Sequence, residues 1–188
     1  MARELFKPGT FVYPLPAVMV SCGSMENSNI LTVAWTGIIA SDPATTYISV
    51  RKERYSYNLI KENMEFCINL TTKDLAYATD YVGVKSGRNE DKFKLLNLTK
   101  EKGDIVKCPL IKESPVCVEC KVKEIKEMGS HDMFIAEIVA VNVDRKYIDE
   151  KGKFDMEKCD LIAYSHGQYY TLGERLGRFG FSVKKNKN

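Results

Sequence analysis

Two alternating segments placed back to back constrain this chain more than any other feature. Residues 116–128 and 133–144 both have the period of a strand, and Gly129-Ser130-His131-Asp132 alone separates them. A connection this short joins antiparallel neighbours, because a parallel crossover needs a dozen or more residues. In the second segment Ile135, Glu137, Val139 and Val141 alternate with Ala136, Ile138 and Ala140, so apolar side chains point to both faces. Such a strand is central in its sheet or is covered by a partner.

The first third of the chain carries the same pattern in shorter pieces. Residues 18–23 read as a strand and residues 25–28 as a polar hairpin connection. A second strand starts at Asn29 and runs through Gly37 towards Ser41-Asp42-Pro43, and residues 47–50 form a third. Three strands with tight connections predict an antiparallel meander rather than alternating β and α units. A helix is expected over residues 56–64, capped by Ser56, with Leu59, Ile60 and Met64 on one side. Residues 66–70 give the next strand. A second helix is expected over residues 73–82, capped by Thr72 and with Asp74 near its positive end. Residues 83–104 read as loop with at most a short helical turn around Phe93, and residues 161–164 as a last short strand. Residues 1–17 contain Pro8, Pro14 and Pro16 and read as an N-terminal arm. Residues 165–188 read as a C-terminal arm that wraps over a surface and ends in a basic tail. The sum is a mainly β fold, a Greek-key β-barrel with a few helices, whose closure removes exposed strand edges. The length of 188 residues suits one compact domain spanning residues 1–188.

Composition removes several function classes. The net charge is +3, and most of the excess lies in Lys184-Lys185-Asn186-Lys187-Asn188, so no nucleic-acid partner is expected. There is no long apolar run and no membrane partner is expected. The first residues have no apolar segment resembling a secretory signal, which makes the cytoplasm the expected location. Six cysteines in that setting read as reduced thiols. Cys117 and Cys120 have redox-pair spacing, but residues three apart on a strand face opposite ways, so packing is the expected role. With two histidines and no second CxxC, no metal site is expected. The chain has no GxxxxGK[ST] loop, and Gly173, Gly177 and Gly180 do not match GxGxxG. Ser130-His131-Asp132 does not make a hydrolase triad by adjacency, since triad roles are spatial.

What remains is a polar strand and a basic cluster. Short hydroxyls at Thr32, Thr36 and Ser49 could meet the edge of a heterocycle, while Trp35 is expected to fill core. Arg51, Lys52, Arg54, Tyr55 and Ser56 run into a helix start, an arrangement suited to a phosphate monoester. Composition alone leaves that reading and a solvated loop equally open.

The order of motifs sharpens the choice. Pro14-x-Pro16-Ala17-Val18-x-Val20-Ser21-Cys22 is followed by Asn29-x-x-Thr32-x-Ala34-Trp35-x-Gly37, Pro43 and Ile48-Ser49-Val50-Arg51. Then come Ser56, Ile60, Glu65-Phe66-x-Ile68-Asn69, His131-Asp132-x-Phe134-x-x-Glu137-Ile138 and Tyr169-x-x-Leu172-Gly173-Glu174-x-x-Gly177-x-Phe179-Gly180. This order resembles the flavin reductase-like, FMN-binding split-barrel family, and within it the flavoredoxin branch. The resemblance implies a homodimer with one FMN per protomer, held noncovalently near the dimer interface. It implies that Thr32, Val33, Ala34, Trp35 and Thr36 line the isoalloxazine. Ser49, Val50 and Arg51 would reach the ribityl chain and phosphate, and Arg54 and Ser56 would hold the phosphate. Asn29, Tyr55 and Asn69 complete the implied cofactor-binding set. Related reductases carry Gly-Asp-His near the flavin, where this chain has Gly129-Ser130-His131-Asp132. His131 is therefore the catalytic candidate, beside flavin or nicotinamide, and a satisfied turn histidine is the alternative. The implied reaction takes electrons from NAD(P)H to a flavin, ferric or protein acceptor. A non-enzymatic FMN electron carrier is the alternative.

Overall fold

The computed structural model describes residues 2–183. The chain forms β1 (Leu15–Pro16), β2 (Val18–Gly23), β3 (Ser28–Val33), β4 (Thr36–Ser41), β5 (Ala44–Val50), α1 (Tyr55–Asn63) and β6 (Glu65–Leu70). It continues with α2 (Ala76–Val84), α3 (Lys92–Leu95), β7 (Lys100–Glu101), β8 (Leu110–Ile111), β9 (Val116–Glu127), β10 (Asp132–Val143), β11 (Ile162–Ser165) and β12 (Gln168–Thr171). Seven strands make one antiparallel sheet in the order β3-β2-β6-β9-β10-β5-β4. The long pair β9 and β10 is central, as the two-sided apolar pattern predicts.

The sheet curls until its ends share an interior. Leu31 and Val33 from one edge meet Ile48 and Val50 of β5 in a core that also holds Val20, Phe66, Cys120 and Phe134. Burying each large apolar side chain of this kind stabilises the fold by about 1.5–3 kcal/mol. A second core lies outside the barrel, where Met19 and Ile30 pack under Ala78 and Val82 of α2 and Phe93 of α3. Lying between these two cores, β2 is buried along its whole length.

The stretch that begins at Asn29 is not one strand. Thr36 N donates back to Ala34 O at 3.1 Å, a tight turn centred on Trp35, so β3 ends and β4 begins there. The expected meander therefore becomes two hairpins, β2–β3 and β4–β5, whose outer strands β3 and β4 form opposite edges of the sheet. Helix starts also shift. Arg54 rather than Ser56 takes the N-cap of α1, with no side-chain cap, and α2 begins at Ala76. Thr72 Oγ1 instead accepts from Leu75 N at 3.3 Å, in a turn ahead of α2, which leaves Asp74 exposed outside the helix. The helical turn expected at Phe93 is α3, capped by Asp91, whose carboxylate accepts from Lys94 N.

Both arms contribute strands, so neither is a plain wrapping segment. β1, β11 and β12 form a small sheet, with β12 inside what the sequence suggested was an unpatterned arm. His166 and Gly167, both at positive φ, turn the β11–β12 hairpin. The basic tail 184–188 lies outside the described residues. Cys117 packs with Cys67 and Cys108 on the outer side of the sheet, whereas Cys120 faces the barrel interior, so the two sulfurs diverge as expected. Among the described residues no helix is long and apolar enough to cross a membrane.

Glu119 lies fully buried on β9. Its carboxylate accepts from Asp104 N at 2.9 Å, Ile105 N at 2.7 Å, Val106 N at 2.8 Å and Asn142 Nδ2 at 2.6 Å. The three backbone donors tie the loop after β7 onto the barrel, and Asn142 of β10 holds the carboxylate from within the sheet.

Candidate ring cleft and anion cavity

The bend at Trp35 opens a cleft of about 390 Å³. Its floor is Thr32, Val33 and Ala34 before the bend, and Ser49, Val50 and Arg51 at the end of β5. One wall is α2, through Asp80 and Gly83, and the other is the β11–β12 hairpin, through Tyr164 and Tyr169. A Cβ added at Gly83 would lie 3.0 Å from Thr32 Cβ, so the glycine lets the helix sit close against β3. Thr32 Oγ1 donates to Thr79 O and is thereby occupied in docking α2.

Trp35 is not core. It is 41% exposed at the lip of the cleft, because the tight turn carries it outside the barrel. Its ring lies 5.6 Å from that of His131 at an interplanar angle of 38°. His131 lines the same cleft, with Nδ1 2.9 Å from Ser130 Oγ. Burial, followed by the charges of Arg51 and Arg54, lowers its pKa from the ordinary 6.5. The imidazole is therefore neutral at pH 7 and can offer one donor and one acceptor. On the opposite wall, burial and then Asp80 push the Tyr169 phenol up to about 12.

His131 owes its place to its neighbour. Asp132 is buried, with Oδ2 accepting from Tyr57 OH at 2.6 Å and lying 3.5 Å from Lys52 Nζ. Asp132 Oδ1 has no hydrogen-bond partner among the described residues. The bond to Asp132 first, and burial second, raise the Tyr57 pKa to about 12, so the phenol remains a donor. Removing this donor with Tyr57→Phe should cost about 1–3 kcal/mol of stability, because the buried carboxylate then loses its shortest partner. Urea unfolding measures it, and a midpoint equal to that of the unmodified protein would show that Lys52 suffices.

A second cavity of about 460 Å³ adjoins the cleft, sharing Leu31, Arg51 and Arg54 with it. At its base Asn29 Nδ2 donates to Ser56 Oγ at 2.7 Å, and both residues are buried. Ser56 is in the first turn of α1, whose leading amide groups have no intrahelical partner. Lys92 is 4% exposed and donates to Ile30 O at 2.7 Å and Val82 O at 2.8 Å. Two carbonyls leave the third ammonium proton for the cavity. Arg54 Nη1 donates to Gly83 O at 3.0 Å, which fixes the guanidinium between the two spaces. Tyr55, Lys85 and Arg88 line the second cavity too, as does Glu53, whose carboxylate is ion-paired with Arg51 at 3.6 Å.

Most of the residues named from the sequence meet here, and two do not. Thr32, Val33, Ala34, Trp35, Ser49, Val50 and His131 line the cleft, Asn29, Tyr55 and Ser56 line the second cavity, and Arg51 and Arg54 line both. Thr36 is buried with its hydroxyl donating to Tyr47 O at 2.6 Å, since the first residue of β4 already turns towards β5. Asn69 is fully buried on β6, where it bonds Met19 O, Ser21 Oγ and Ile111 N, so it ties sheet to loop. Lys92, Asp80, Tyr164 and Tyr169 were missed. Only the two tyrosines carried a signal, a pair of aromatics flanking a His-Gly hairpin turn.

An antiparallel split barrel whose edge opens into a cleft of mixed polar and apolar lining, adjoining a second cavity rich in cationic side chains, defines a ligand-binding class. Residues 10–173 match the family model described as flavin reductase like domain, and the chain belongs to that family. Flavoredoxin of Desulfovibrio vulgaris (Miyazaki F) is 34% identical, with 98% of this chain and 100% of that chain covered at a TM-score of 0.88. Flavoredoxin from Methanosarcina acetivorans is 26% identical, again with 98% and 100% covered and a TM-score of 0.88. An uncharacterized protein of Archaeoglobus fulgidus is 30% identical over 171 residues, 91% of this chain and 95% of its own length.

Proposed function

We propose that the protein is an FMN-binding oxidoreductase that moves electrons between NAD(P)H and a flavin, ferric or protein acceptor. The observation that carries this is the junction of the two spaces at Leu31, Arg51 and Arg54. A planar ring suits the cleft between α2 and the β11–β12 hairpin, and a phosphate monoester suits Asn29, Ser56, Lys92 and the start of α1. Arg51 and Arg54 then lie along the chain that connects ring to phosphate. The donor set fits an anion: Lys92 is buried without a carboxylate partner among the described residues.

FMN, when bound, supplies the hydride and electron chemistry, and the protein supplies position and access. Trp35 and His131 form the open lip where a donor or acceptor reaches the ring. His131, neutral at pH 7, donates or accepts one hydrogen bond there without adding charge. We also propose a homodimer. Ile38 and Ile39 on edge strand β4, beside Trp35, are 73% and 49% exposed, and a second copy would cover them.

A second reading is a carrier that exchanges electrons with protein partners and does not itself oxidise nicotinamide. The full-length likeness to two flavoredoxins favours it, as does Ser130 where related reductases carry an acid before the histidine. Anaerobic titration of the FMN-loaded protein with NADH and NADPH separates the two. Bleaching of the flavin by either supports the reductase, and its persistence in both supports the carrier.

The phosphate assignment has its own test. Ser56→Ala and Arg54→Ala should each weaken FMN binding by about 10- to 30-fold, the lower part of the range for loss of one hydrogen bond to a charged group. Riboflavin, which lacks the phosphate, should bind the Ser56→Ala variant as it binds the unmodified protein. Equal loss for both ligands would move the phosphate elsewhere.

A further inference from the structure

Three of the buried cysteines meet on the outer side of the sheet, and none of them lines the ring cleft or the anion cavity. Cys67 belongs to β6 and Cys117 to β9, and Cys108 joins them from the loop between β7 and β8. The register sets Cys67 opposite Glu119 and Cys117 opposite Asn69, so the two cysteines are diagonal neighbours on one face. The loop above them is pinned on both sides of Cys108. Lys107 N donates to Glu65 Oε1 at 2.6 Å, and Ile111 N to Asn69 Oδ1 at 2.9 Å.

Access separates the three thiols. Cys67 and Cys108 are sealed from solvent, whereas Cys117 lines a cavity of about 460 Å³ between this loop and the end of β10. In the cavity lining Lys102, Lys112 and Arg145 balance Glu101, Asp104 and Asp144, so a small neutral molecule enters without an electrostatic penalty. Chemistry separates them as well. The hydrogen bond with the Cys67 thiol first, and one with Ser114, outweigh burial and hold the Cys117 pKa below the ordinary 9.0. Burial first, and the contact with Cys117 second, raise Cys67 well above that value. Cys117 is thus the nucleophile, and Cys67 beside it keeps its proton.

We propose that Cys117 and Cys67 form a reversible redox site, in which hydrogen peroxide turns the two thiols into a disulfide. The Cys117 thiolate attacks one peroxide oxygen and the O–O bond breaks. Cys117 becomes a sulfenic acid, and the departing hydroxide takes up the proton that Cys117 gave up and leaves as water. The Cys67 sulfur then attacks the Cys117 sulfur, an S–S bond forms, and the sulfenic hydroxyl leaves as a second water with the Cys67 proton. Two electrons pass from the thiols to the peroxide. Diagonal partners have Cα atoms about 7–8 Å apart, beyond the roughly 4.4–6.8 Å that a relaxed disulfide spans. Closing the bond therefore shifts β6 against β9, and a small dithiol readily reverses it. The site is independent of the flavin reading.

Hydrogen peroxide added to the reduced full chain, followed by alkylation of free thiols and peptide mass spectrometry, tests the proposal. A Cys67–Cys117 link that dithiothreitol removes is expected. Residues 113–121 form one tryptic peptide with both Cys117 and Cys120, so fragmentation assigns the linked sulfur. Cys108→Ala should keep the link. Cys67→Ala should lose it and give a Cys117 sulfenic acid that dimedone traps. Cys117→Ala should lose both, with thiol oxidation slowed by about tenfold or more. Where a variant fails to fold, the position of the link in the unmodified protein decides. A link through Cys108 or Cys120, oxidation that occurs only in urea, or alkylation of every cysteine after peroxide treatment would overturn the site.

Discussion

Glu119→Ala should cost about 3–5 kcal/mol of stability, the loss expected when one partner of a buried charged network is removed. Four donors would be stranded at once: Asp104 N, Ile105 N, Val106 N and Asn142 Nδ2. No described cation is paired with this carboxylate, so the peptide groups of the loop carry the compensation. Glu119→Gln should cost about half as much, because Asn142 can rotate its amide oxygen towards the new NH2 group and fewer donors go unmet. Urea unfolding at constant pH reads both values, and a loss under about 1 kcal/mol for Glu119→Ala would show that the loop is held by other contacts.

The same carboxylate gives stability a dependence on pH. Burial raises its pKa, but the three backbone amides and Asn142 outweigh burial and bring it below the ordinary 4.5. A depressed folded-state value means that the stabilisation is fully present above the unfolded-state pKa and is lost as pH falls through the folded one. The unmodified protein should therefore lose more stability than Glu119→Gln on acidification below about pH 4.5. Parallel curves for the two proteins across that range would contradict the assignment.

How much of this was legible in the sequence depended on whether the deciding interaction was local. The β9–β10 pair was legible because its alternation and its connection lie within one continuous segment. The bend at Trp35 was not, since nothing in Ala34-Trp35-Thr36 distinguishes a turning strand from a straight one. The turn is set by β3 and β4 pairing at opposite edges of the sheet. From this one miss followed the error about Trp35, whose exposure depends on the bend. The cap expected at Ser56 falls to Arg54, and Ser56 is instead a buried partner of Asn29 in the first turn of α1. Thr36 and Asn69 have the same short polar character as Ser49, yet β-pairing spends the first and a loop tie spends the second. Lys92 was invisible for a related reason. Two positions separate it from Lys94, and folding buries one beneath α2 and β3 while leaving the other exposed. Sequence pattern reports which residues are polar, whereas the site is made by the polar residues whose partners tertiary packing has not already supplied.

Lys92 is accordingly where the largest effect on ligand affinity is expected. Burial, followed by the charge of Arg54, lowers its pKa to about 8. Lys92→Met keeps the aliphatic volume and removes the charge, so it should weaken FMN binding by about 2–3 kcal/mol, roughly 30- to 150-fold, and leave riboflavin nearly unaffected. The fold should tolerate the change, because a methionine spares the burial of an ammonium at the cost of two carbonyl contacts to Ile30 and Val82. The depressed value also fixes how affinity responds to pH. In the ligand-free protein the ammonium loses its proton as pH rises through about 8, while a bound phosphate dianion stabilises the charged form and raises that value. Binding above pH 8 must then take up a proton, so FMN affinity should fall as pH rises from about 8 to 10. Folding stability moves the other way over the same interval, since the unfolded chain holds the lysine proton up to about 10.5 and the ligand-free fold does not. A titration series with FMN and riboflavin between pH 7 and 10 separates the two trends. An FMN affinity independent of pH in the unmodified protein, or the same slope in Lys92→Met, would remove Lys92 from the phosphate site and leave Arg54 and the start of α1 to hold the anion.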